Sequence, residues 1–382
     1  MTKKPLILLV FLFTMNSGYL LAQTWTDTLD LYARTQFMPP SKFQWKWQKA
    51  ALLSTMVKQY DKAEEKKKEI YLKYIQKCMQ KTMQQANGKT PNAVASGLGM
   101  AFLYRVTREG KYKEVCDKIY KDYLLIKRSK DGGVSHLVKN IELWDDTIFM
   151  IGEFLIEMYR ATGDTNYIDE LVKQVSIHRN KLQDPEWGLW VHGWDNDNKS
   201  HCTFCGQMYW PDKSTRKSSE IWGRGNGWIV VTLSDAIECL PQENKQRSIL
   251  TGYLKEMLYR LPELQDKNTG HWYQLPVKNN HPKNYIESSC TAMFAYGISR
   301  GLQMGIIQDS SYNKSVELAY IGLRNFSVQK INNDYITTKN VCKGTCIGDE
   351  TYYLNRKVCH GKPFGIGMFI AFGRAYERIA KP

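Results

Sequence analysis

The 382-residue sequence lacks the signatures of several protein classes. It has no zinc-finger, RNA-binding or helix-turn-helix motif, so its net charge of +15 favours an anionic substrate or surface over sequence-specific binding of nucleic acid. After the N-terminal segment, no apolar run is long enough to span a membrane. No linker or shift in composition divides the chain, which predicts a single domain.

The longest apolar run lies at the N-terminus. Lys3 and Lys4 precede the apolar residues 6–13, and Ala22 precedes Gln23 at a plausible cleavage point. This pattern is typical of a secretory signal peptide, and the run is too short to span a bilayer. We therefore expect residues 1–22 to be a signal peptide, residues 23–382 to form the mature domain, and the protein to be secreted or periplasmic.

The nine cysteines are interpreted for that compartment. Five of them lie in two clusters: Cys202, Cys205, Cys342, Cys346 and Cys359. In a cytosolic chain such clusters would indicate zinc, but outside the cytoplasm disulfides are favoured. We expect disulfides or structural thiols here, and no metal. The odd number requires at least one free thiol, which we expect at Cys78 or Cys116 inside helices.

The dominant hydrophobic period is helical, and strand-like alternation is confined to short pieces such as HWYQLP and DYITTK. About eleven helices form pairs joined by short turns, and the first helices start near Phe43, Val94, Asp146, Asn226, Glu287 and Gly365. An early spacing of about fifty residues is typical of a helical-hairpin repeat. The pattern predicts an all-α fold, an (α/α)6 toroid or an open solenoid, with the long loops on one face.

Four loop motifs combine aromatic residues with a few polar groups: GGVSHLVKNIELWDD, WGLWVHGWD, IWGRGNGW and NYIESSCTAMF. Each motif opens or precedes a helix. One such motif alone would be a helix start with buried tryptophans. Four at the same end of successive hairpins favour a shared pocket, and aromatic rings of this kind also line sugar-binding clefts.

Adjacent aspartates, Asp145 and Asp146, stand at the start of one of these helices. An acidic side chain there can cap the helix, since it accepts hydrogen bonds from free amides and suits the positive end of the helix dipole. The alternative is that one of them is a catalytic acid. The local sequence favours the cap, whereas the other three motifs, as parts of a shared pocket, favour a catalytic acid.

The segments LWDDTIFM, HGWD, WGRGNGW, ESSCTAMFAYG and GKPFGIGMFIAFGRAYE together resemble glycoside hydrolase family 105, the unsaturated rhamnogalacturonyl hydrolases. That family is related to the family 88 unsaturated glucuronyl hydrolases. The resemblance extends from about residue 43 to 377. It implies an (α/α)6 barrel without metal or cofactor, and an acidic oligosaccharide as partner. Its non-reducing end would be a 4,5-unsaturated uronic acid, which family enzymes release by hydrating the double bond.

The resemblance also implies roles for individual residues. Asp146 matches the general acid, which leaves Asp145 as a structural residue. The family usually has a second aspartate where this chain has Asn92, so we include Asn92 as a catalytic candidate that cannot ionise. The expected substrate-binding residues are His136, Trp144, His192, Trp194, Trp222, Arg224, Asn226 and Trp228.

A general acid must keep its proton near neutral pH, so its pKa must be raised. We expect burial among Trp144, Trp190, Trp194 and Trp222 to raise the pKa of Asp146 against the opposing effect of the helix start. Arg224 would pair with a carboxylate or sugar hydroxyls. Two alternatives remain: another sugar-active enzyme on this scaffold, such as a saturated glucuronidase or an epimerase, and a glycan-binding protein without catalysis.

Overall fold

The computed structural model describes residues 24–198, 207 and 209–380. Its α-helices are α1 (Trp25–Tyr32), α2 (Trp47–Lys62), α3 (Glu65–Thr82), α4 (Pro91–Val94), α5 (Leu98–Thr107), α6 (Gly110–Leu124), α7 (Asp146–Thr162), α8 (Asn166–Leu182), α9 (Gly223–Cys239), α10 (Lys245–Tyr259), α11 (Leu261–Leu264), α12 (Ser288–Gln303), α13 (Ser310–Gly322), α14 (Glu350–Leu354) and α15 (Pro363–Ile379). The strands are β1 (Glu142–Trp144), β2 (Gly193–Asp195), β3 (Val328–Lys330), β4 (Ile336–Thr338), β5 (Val341–Cys342) and β6 (Val358–Cys359). They form three antiparallel pairs, β1–β2, β3–β4 and β5–β6.

Six helices form a closed inner ring. In order they are α2, α5, α7, α9, α12 and α15, each packs against the next, and α15 packs against α2. Each inner helix has an outer partner: α3 on α2, α6 on α5, α8 on α7, α10 on α9, α13 on α12 and α1 on α15. The closed ring confirms the predicted (α/α)6 toroid and excludes the open solenoid.

The inner and outer helices differ in how much of their surface is apolar and buried. On α12 every residue from Ser288 to Gly301 is buried, and α9 is nearly as enclosed, whereas outer helices such as α6 bury only one face. Close packing of the inner ring requires small residues. A Cβ atom added to Gly297 of α12 would lie 1.9 Å from a methyl carbon of Val230 on α9.

The pair that closes the ring joins the two ends of the described chain. Helix α1 was not expected from the sequence, because its eight residues are too few to show a clear helical period. A capping box between Thr24 and Asp27 starts this helix. The Asp27 carboxylate also accepts a hydrogen bond from Arg374 at 2.5 Å, which ties α1 to α15.

The two ends of the toroid differ. The long segments 125–145, 183–222, 265–287 and 323–362 each connect an outer helix to the N-terminus of the next inner helix, so their described residues gather on one side, the loop face. As predicted, the four motifs lie there. Of the two strand-like pieces, DYITTK contains β4, whereas HWYQLP contributes an isolated bridge between Tyr273 and Ile286.

The opposite side, the turn face, carries a network of buried ion pairs. The Lys58 ammonium on α2 lies 2.6 Å from Glu153 of α7 and 2.9 Å from Asp235 of α9. Together with other charged side chains from the inner helices, these residues line a cavity of about 360 Å³. The network crosses the inner ring, because α5 separates α2 from α7 and α9 lies opposite α2.

The described cysteines are mostly reduced. Cys78 and Cys116 are buried free thiols inside α3 and α6, as expected. Cys346 is disulfide-bonded, whereas Cys342 and Cys359 are free. The expected signal peptide and the Cys202–Cys205 pair lie outside the described residues. Among the residues that are described, no helix combines the length and apolar character needed to cross a membrane.

Candidate active site

The pairing of β1 with β2 brings two of the sequence motifs together. In this antiparallel register Trp144 stands opposite Gly193. The pairing continues one residue beyond each strand, where the Asp145 amide donates a hydrogen bond of 3.0 Å to the carbonyl of His192. The first residues of α7 are therefore fixed beside the His192 side chain on the loop face.

Asp146, His192 and Tyr353 form a chain of hydrogen bonds. The Nε2 atom of His192 lies 3.0 Å from Oδ2 of Asp146, and its Nδ1 atom lies 2.7 Å from the Tyr353 hydroxyl. The ionised carboxylate of Asp146 can only accept, so Nε2 carries the proton that is donated to it, and in a neutral imidazole Nδ1 then accepts from the Tyr353 hydroxyl. Burial lowers the pKa of His192, although Asp146 opposes this effect, and the imidazole is therefore neutral.

Asp145 does not cap α7, in contrast to the expectation from the sequence. It occupies the N-cap position, but its side chain makes no capping hydrogen bond. The carboxyl group is fully buried, and neither of its oxygens has a hydrogen-bond partner among the described residues. One oxygen lies 3.7 Å from Nε2 of His192. The group also packs against Gly225, where an added Cβ atom would lie 1.9 Å from its Oδ2.

The two aspartates have opposite pKa shifts. Burial, followed by the charge of Asp146, raises the pKa of Asp145 well above its usual range. Burial also acts to raise the pKa of Asp146, but the hydrogen bond from His192, together with the positive charge of Arg224, outweighs it and lowers that pKa. The expectation that burial would prevail at Asp146 is therefore wrong for the unliganded site, because the neighbouring polar groups favour the anion.

His136 and Trp144 form a stacked pair next to the aspartates. Their ring centroids are 4.5 Å apart, with an interplanar angle of 2°. Nδ1 of His136 lies 3.0 Å from the Thr147 hydroxyl, and Nε2 lies 3.4 Å from the Asn92 side-chain nitrogen. Burial lowers the pKa of His136 to about 4. The ring is thus neutral, and Nε2 can accept a hydrogen bond from Asn92.

The position of Arg224 differs from the expected one. Its guanidinium is fully buried and donates to the main-chain carbonyls of Cys342 and Lys343, both at 2.9 Å. It also lies over the ring of Trp222, 4.6 Å from the centroid, and 3.6 Å from Glu287. These contacts use the planar fork to hold the 342–343 segment, so we assign Arg224 to the support of the site and not to contact with substrate.

Asn226 and Trp228 are also fully buried. The Asn226 amide accepts from the Trp190 amide at 2.7 Å and donates to the Trp190 and Trp222 carbonyls at 2.8 and 3.0 Å. Trp228 packs on Phe149, with centroids 4.3 Å apart. Both residues fix the loops from inside the toroid. Neither residue has accessible surface in the unliganded structure, so they support the site there, and their contact with substrate stays a prediction.

The other two tryptophans lie on different sides of the site. The Trp222 ring packs against His192, with centroids 4.4 Å apart. The Lys181 ammonium lies over the Trp194 ring, 4.6 Å from its centroid, and the Arg216 guanidinium lies 6.0 Å from the same centroid. Trp222 therefore belongs to the wall around the imidazole, whereas the described contacts of Trp194 place it among basic side chains next to β2.

Accessibility narrows the part of the site that a ligand can reach. The Asp146 side chain is 11% exposed, whereas the Asp145 and His192 side chains are completely buried. His136 is 7% exposed. A ligand on the loop face would therefore meet the carboxylate of Asp146 and the edge of His136, with Asp145 and His192 behind them.

Sequence reasoning missed Tyr353, Thr147 and the role of Glu287. Glu287 accepts from the amides of Cys290 at 2.6 Å and Cys342 at 2.9 Å, so it caps α12 and fixes β5. Its position before an apolar helix was a signal for the cap. Tyr353 had no comparable local signal, since its partner is 161 positions away in the chain.

Asp145, Asp146 and His192 place one ligand-type atom each within 4.8 Å of one another. A metal ion would need the lone pair on Nε2 of His192. That atom carries the proton donated to Asp146, because Nδ1 accepts from Tyr353. With these hydrogen bonds, the three side chains are suited to proton transfer.

Comparisons with known proteins agree with this fold. The profile of Glycosyl Hydrolase Family 88 matches residues 21–380. The unsaturated rhamnogalacturonyl hydrolase YesR of Bacillus subtilis is 26% identical over 281 residues, which cover 71% of this chain and 74% of that protein. An unsaturated 3S-rhamnoglycuronyl hydrolase of Alteromonas sp. is 28% identical over 191 residues, 48% of this chain and 42% of that protein.

Solved structures show the same architecture. A possible member of the GH105 family from Salmonella enterica has a TM-score of 0.74 and 26% identity, covering 88% of this chain and 83% of that one. A family 105 glycoside hydrolase of C. acetobutylicum has a TM-score of 0.81 at 23% identity, covering 93% of this chain and 100% of that one. The family match extends over nearly the whole chain, and the chain therefore belongs to Glycosyl Hydrolase Family 88.

Proposed function

We propose that this protein releases a 4,5-unsaturated uronic acid from the non-reducing end of oligosaccharides by hydrating the double bond. The observation that carries the proposal is the partly accessible carboxylate of Asp146, held by His192 at the loop face of a family 88 toroid. The names of the relatives support this substrate class, since they are unsaturated rhamnogalacturonyl and rhamnoglycuronyl hydrolases.

In the proposed reaction Asp146 donates a proton to C4 of the unsaturated sugar. Water then adds at C5, and the resulting hemiketal rearranges and expels the remaining sugar. Asp146 is ionised in the unliganded site, since its pKa is lowered. The uronate carboxylate of a bound substrate adds a negative charge nearby and disfavours the anion, which raises the pKa of Asp146 toward that of a working acid.

The remaining residues position the substrate. The stacked His136 and Trp144 offer an aromatic wall beside Asp146, and aromatic faces pack on the apolar faces of sugars. The net charge of +15 attracts an acidic oligosaccharide before it binds. Asn92 lies beside His136 and can orient a water molecule or a hydroxyl group through its amide.

Asp146→Asn tests the proposal, because it keeps the shape of the side chain and removes its proton chemistry. We expect turnover to fall by about 10²- to 10⁴-fold, equivalent to roughly 3–5 kcal/mol of barrier, with substrate binding retained. The assay follows the loss of ultraviolet absorbance of the conjugated double bond. Exposed Asp212→Asn is the matched control and should keep wild-type turnover.

The choice of oligosaccharide separates the proposed function from its alternatives. Wild-type protein should release sugar from lyase-digested acidic polysaccharide and not from the undigested polymer. Release from saturated glucuronides would instead show a glucuronidase, and binding without turnover would show a glycan-binding protein. Wild-type turnover in Asp146→Asn would contradict the role of this residue.

We also propose that the protein is exported and that cleavage after Ala22 yields a mature chain beginning at Gln23. The support is the sequence alone, with Lys3 and Lys4 ahead of the apolar residues 6–13. Intact-mass analysis of the protein from its native host measures the N-terminus. A chain that still began at Met1 or Thr2 would contradict the proposal.

A further inference from the structure

The Asp145–Asp146 pair contains one carboxyl group more than the general-acid mechanism uses. Asp146 reaches the surface, whereas Asp145 is sealed behind it against the start of α9. A buried carboxylate without a hydrogen-bond partner is costly, and a second negative charge close by makes it costlier. Both conditions apply to Asp145, because its two oxygens have no partner among the described residues and Asp146 is adjacent.

We propose that Asp145 stores the proton that Asp146 delivers, so that the two carboxyl groups hold one proton between them in the resting site. Asp145 is then a positioning residue that acts through Asp146. This inference rests on the proposed function for its catalytic meaning. The location of the proton does not depend on it.

The geometry supports transfer between the two groups. An oxygen of Asp145, an oxygen of Asp146 and Nε2 of His192 all lie within 4.8 Å of one another. Nε2 is 3.0 Å from Asp146 and 3.7 Å from Asp145, so one N–H group faces both carboxyls. The two carboxyl groups are close enough for the charge of Asp146 to favour the protonated form of Asp145.

Charged and titratable groups on every neighbouring element favour a single proton on the pair. They are Asp146 on the same helix, His192 before β2, Arg224 on α9, Tyr353 on α14 and, through Asp146, His136. Among these, Arg224 carries a positive charge that it shares with buried Glu287 at 3.6 Å, so it offsets at most one negative charge on the pair and not two. The histidines are neutral, because burial lowers their pKa values.

The proton balance of the cycle is complete within this pair and the substrate. The proton leaves an oxygen of Asp145 and binds an oxygen of Asp146, and the net charge of the pair stays at one negative unit. The O–H bond of Asp146 then breaks as the C–H bond forms at C4 of the sugar. Water adds its hydroxyl at C5, and the proton that it releases returns to the pair.

Asp145→Asn tests the proposal through the pH profile of kcat/KM. The amide keeps the shape but cannot hold the proton, so Asp146 has a proton only below its own lowered pKa. We expect the upper pH limit of activity to move down by at least about one unit, or about tenfold in rate at a fixed higher pH. A loss by the same factor at every pH would show a merely structural role and overturn the proposal.

Infrared difference spectroscopy without substrate locates the proton directly. At pH 7 the spectrum of wild type minus Asp145→Asn should show the carbonyl band of a protonated carboxyl group. Asp212→Asn is the matched control and should show no such band, because hydrogen bonds from Thr215 and Ser214 keep that exposed group ionised. A missing band for Asp145→Asn would overturn the proposal.

A second variant and a measurement that needs no substrate cover the two ways in which the test could fail. If Asp145→Asn fails to fold, Asp145→Ala removes the carboxyl group without adding a buried amide, and the same two measurements apply to it. If the wild-type protein does not act on unsaturated uronides at any pH, the proposed function fails. The infrared band still decides where the proton lies in that case.

Discussion

The hydroxyl oxygen of Tyr353 lies 2.7 Å from Nδ1 of His192, across 161 positions of the chain. This contact sets the tautomer of the imidazole, since an O–H donor at Nδ1 requires the ring proton to be on Nε2, facing Asp146. The short helix α14 on the loop face therefore controls the electrostatics of a carboxylate that begins α7.

Tyr353→Phe should impair catalysis more than stability. Without the hydroxyl group, His192 can adopt the other tautomer and present a lone pair to Asp146, so we expect kcat to fall at least about tenfold. The unsatisfied Nδ1 atom should cost about 1–3 kcal/mol of unfolding free energy. Steady-state kinetics and denaturant unfolding measure the two effects.

Tyr352→Phe is the matched control for that experiment. The Tyr352 hydroxyl accepts a hydrogen bond from the Cys346 amide, and its removal leaves the Tyr353 hydroxyl on His192 in place. It should therefore leave kcat close to the wild-type value. An equal loss of kcat in both variants would contradict the role assigned to Tyr353.

Asn92→Asp should raise the pKa of His136 from about 4. The side-chain nitrogen of Asn92 lies 3.4 Å from Nε2 of His136, and a carboxylate there would stabilise the imidazolium by at least about one pKa unit. We also expect kcat to rise, because a carboxylate can accept a proton from the attacking water. NMR titration of His136 and steady-state kinetics measure these changes. Asn92→Ala should leave the pKa low, and a similar rise in both variants would contradict the explanation.

Lys58→Met should destabilise the protein without changing kcat. The substitution removes the ammonium group that pairs with the buried Glu153 and Asp235 side chains at the turn face, which typically costs about 3–5 kcal/mol. Denaturant unfolding measures the loss. Lys73→Met removes an exposed pair with Glu69 and should cost at most about 1 kcal/mol. A small loss at Lys58, comparable with that at Lys73, would show that the buried network contributes little.

Glu153→Gln should flatten the pH dependence of stability. Burial raises the pKa of Glu153 from an ordinary value of 4.5 to about 8, in spite of the opposing charge of Lys58. The folded state therefore holds this proton more tightly, and the stabilisation present below pH 4.5 is lost as the pH rises toward about 8. Unfolding free energies measured across this window should slope less in the variant, whereas exposed Glu65→Gln should leave the slope unchanged.

The sequence by itself determined the architecture. Local hydrophobic period marks each long inner helix, and the six predicted starts, from Phe43 to Gly365, lie within about four residues of observed helices when α4 is counted with α5. The order of long and short connections then places the motifs on one face. The same local pattern identified Asp146, His136 and His192 as candidates, because each stands in a loop motif at that face.

The tertiary structure decided which group each of these residues meets. Arg224, Asn226 and Trp228 stand in one of the loop motifs, yet their side chains are enclosed and hold the loops. The difference between Asp145 and Asp146 depends on His192 and Gly225, which lie far along the chain. Hydrophobic period is a local property of the sequence, whereas burial, hydrogen-bond partners and pKa depend on residues that only the closed ring brings together.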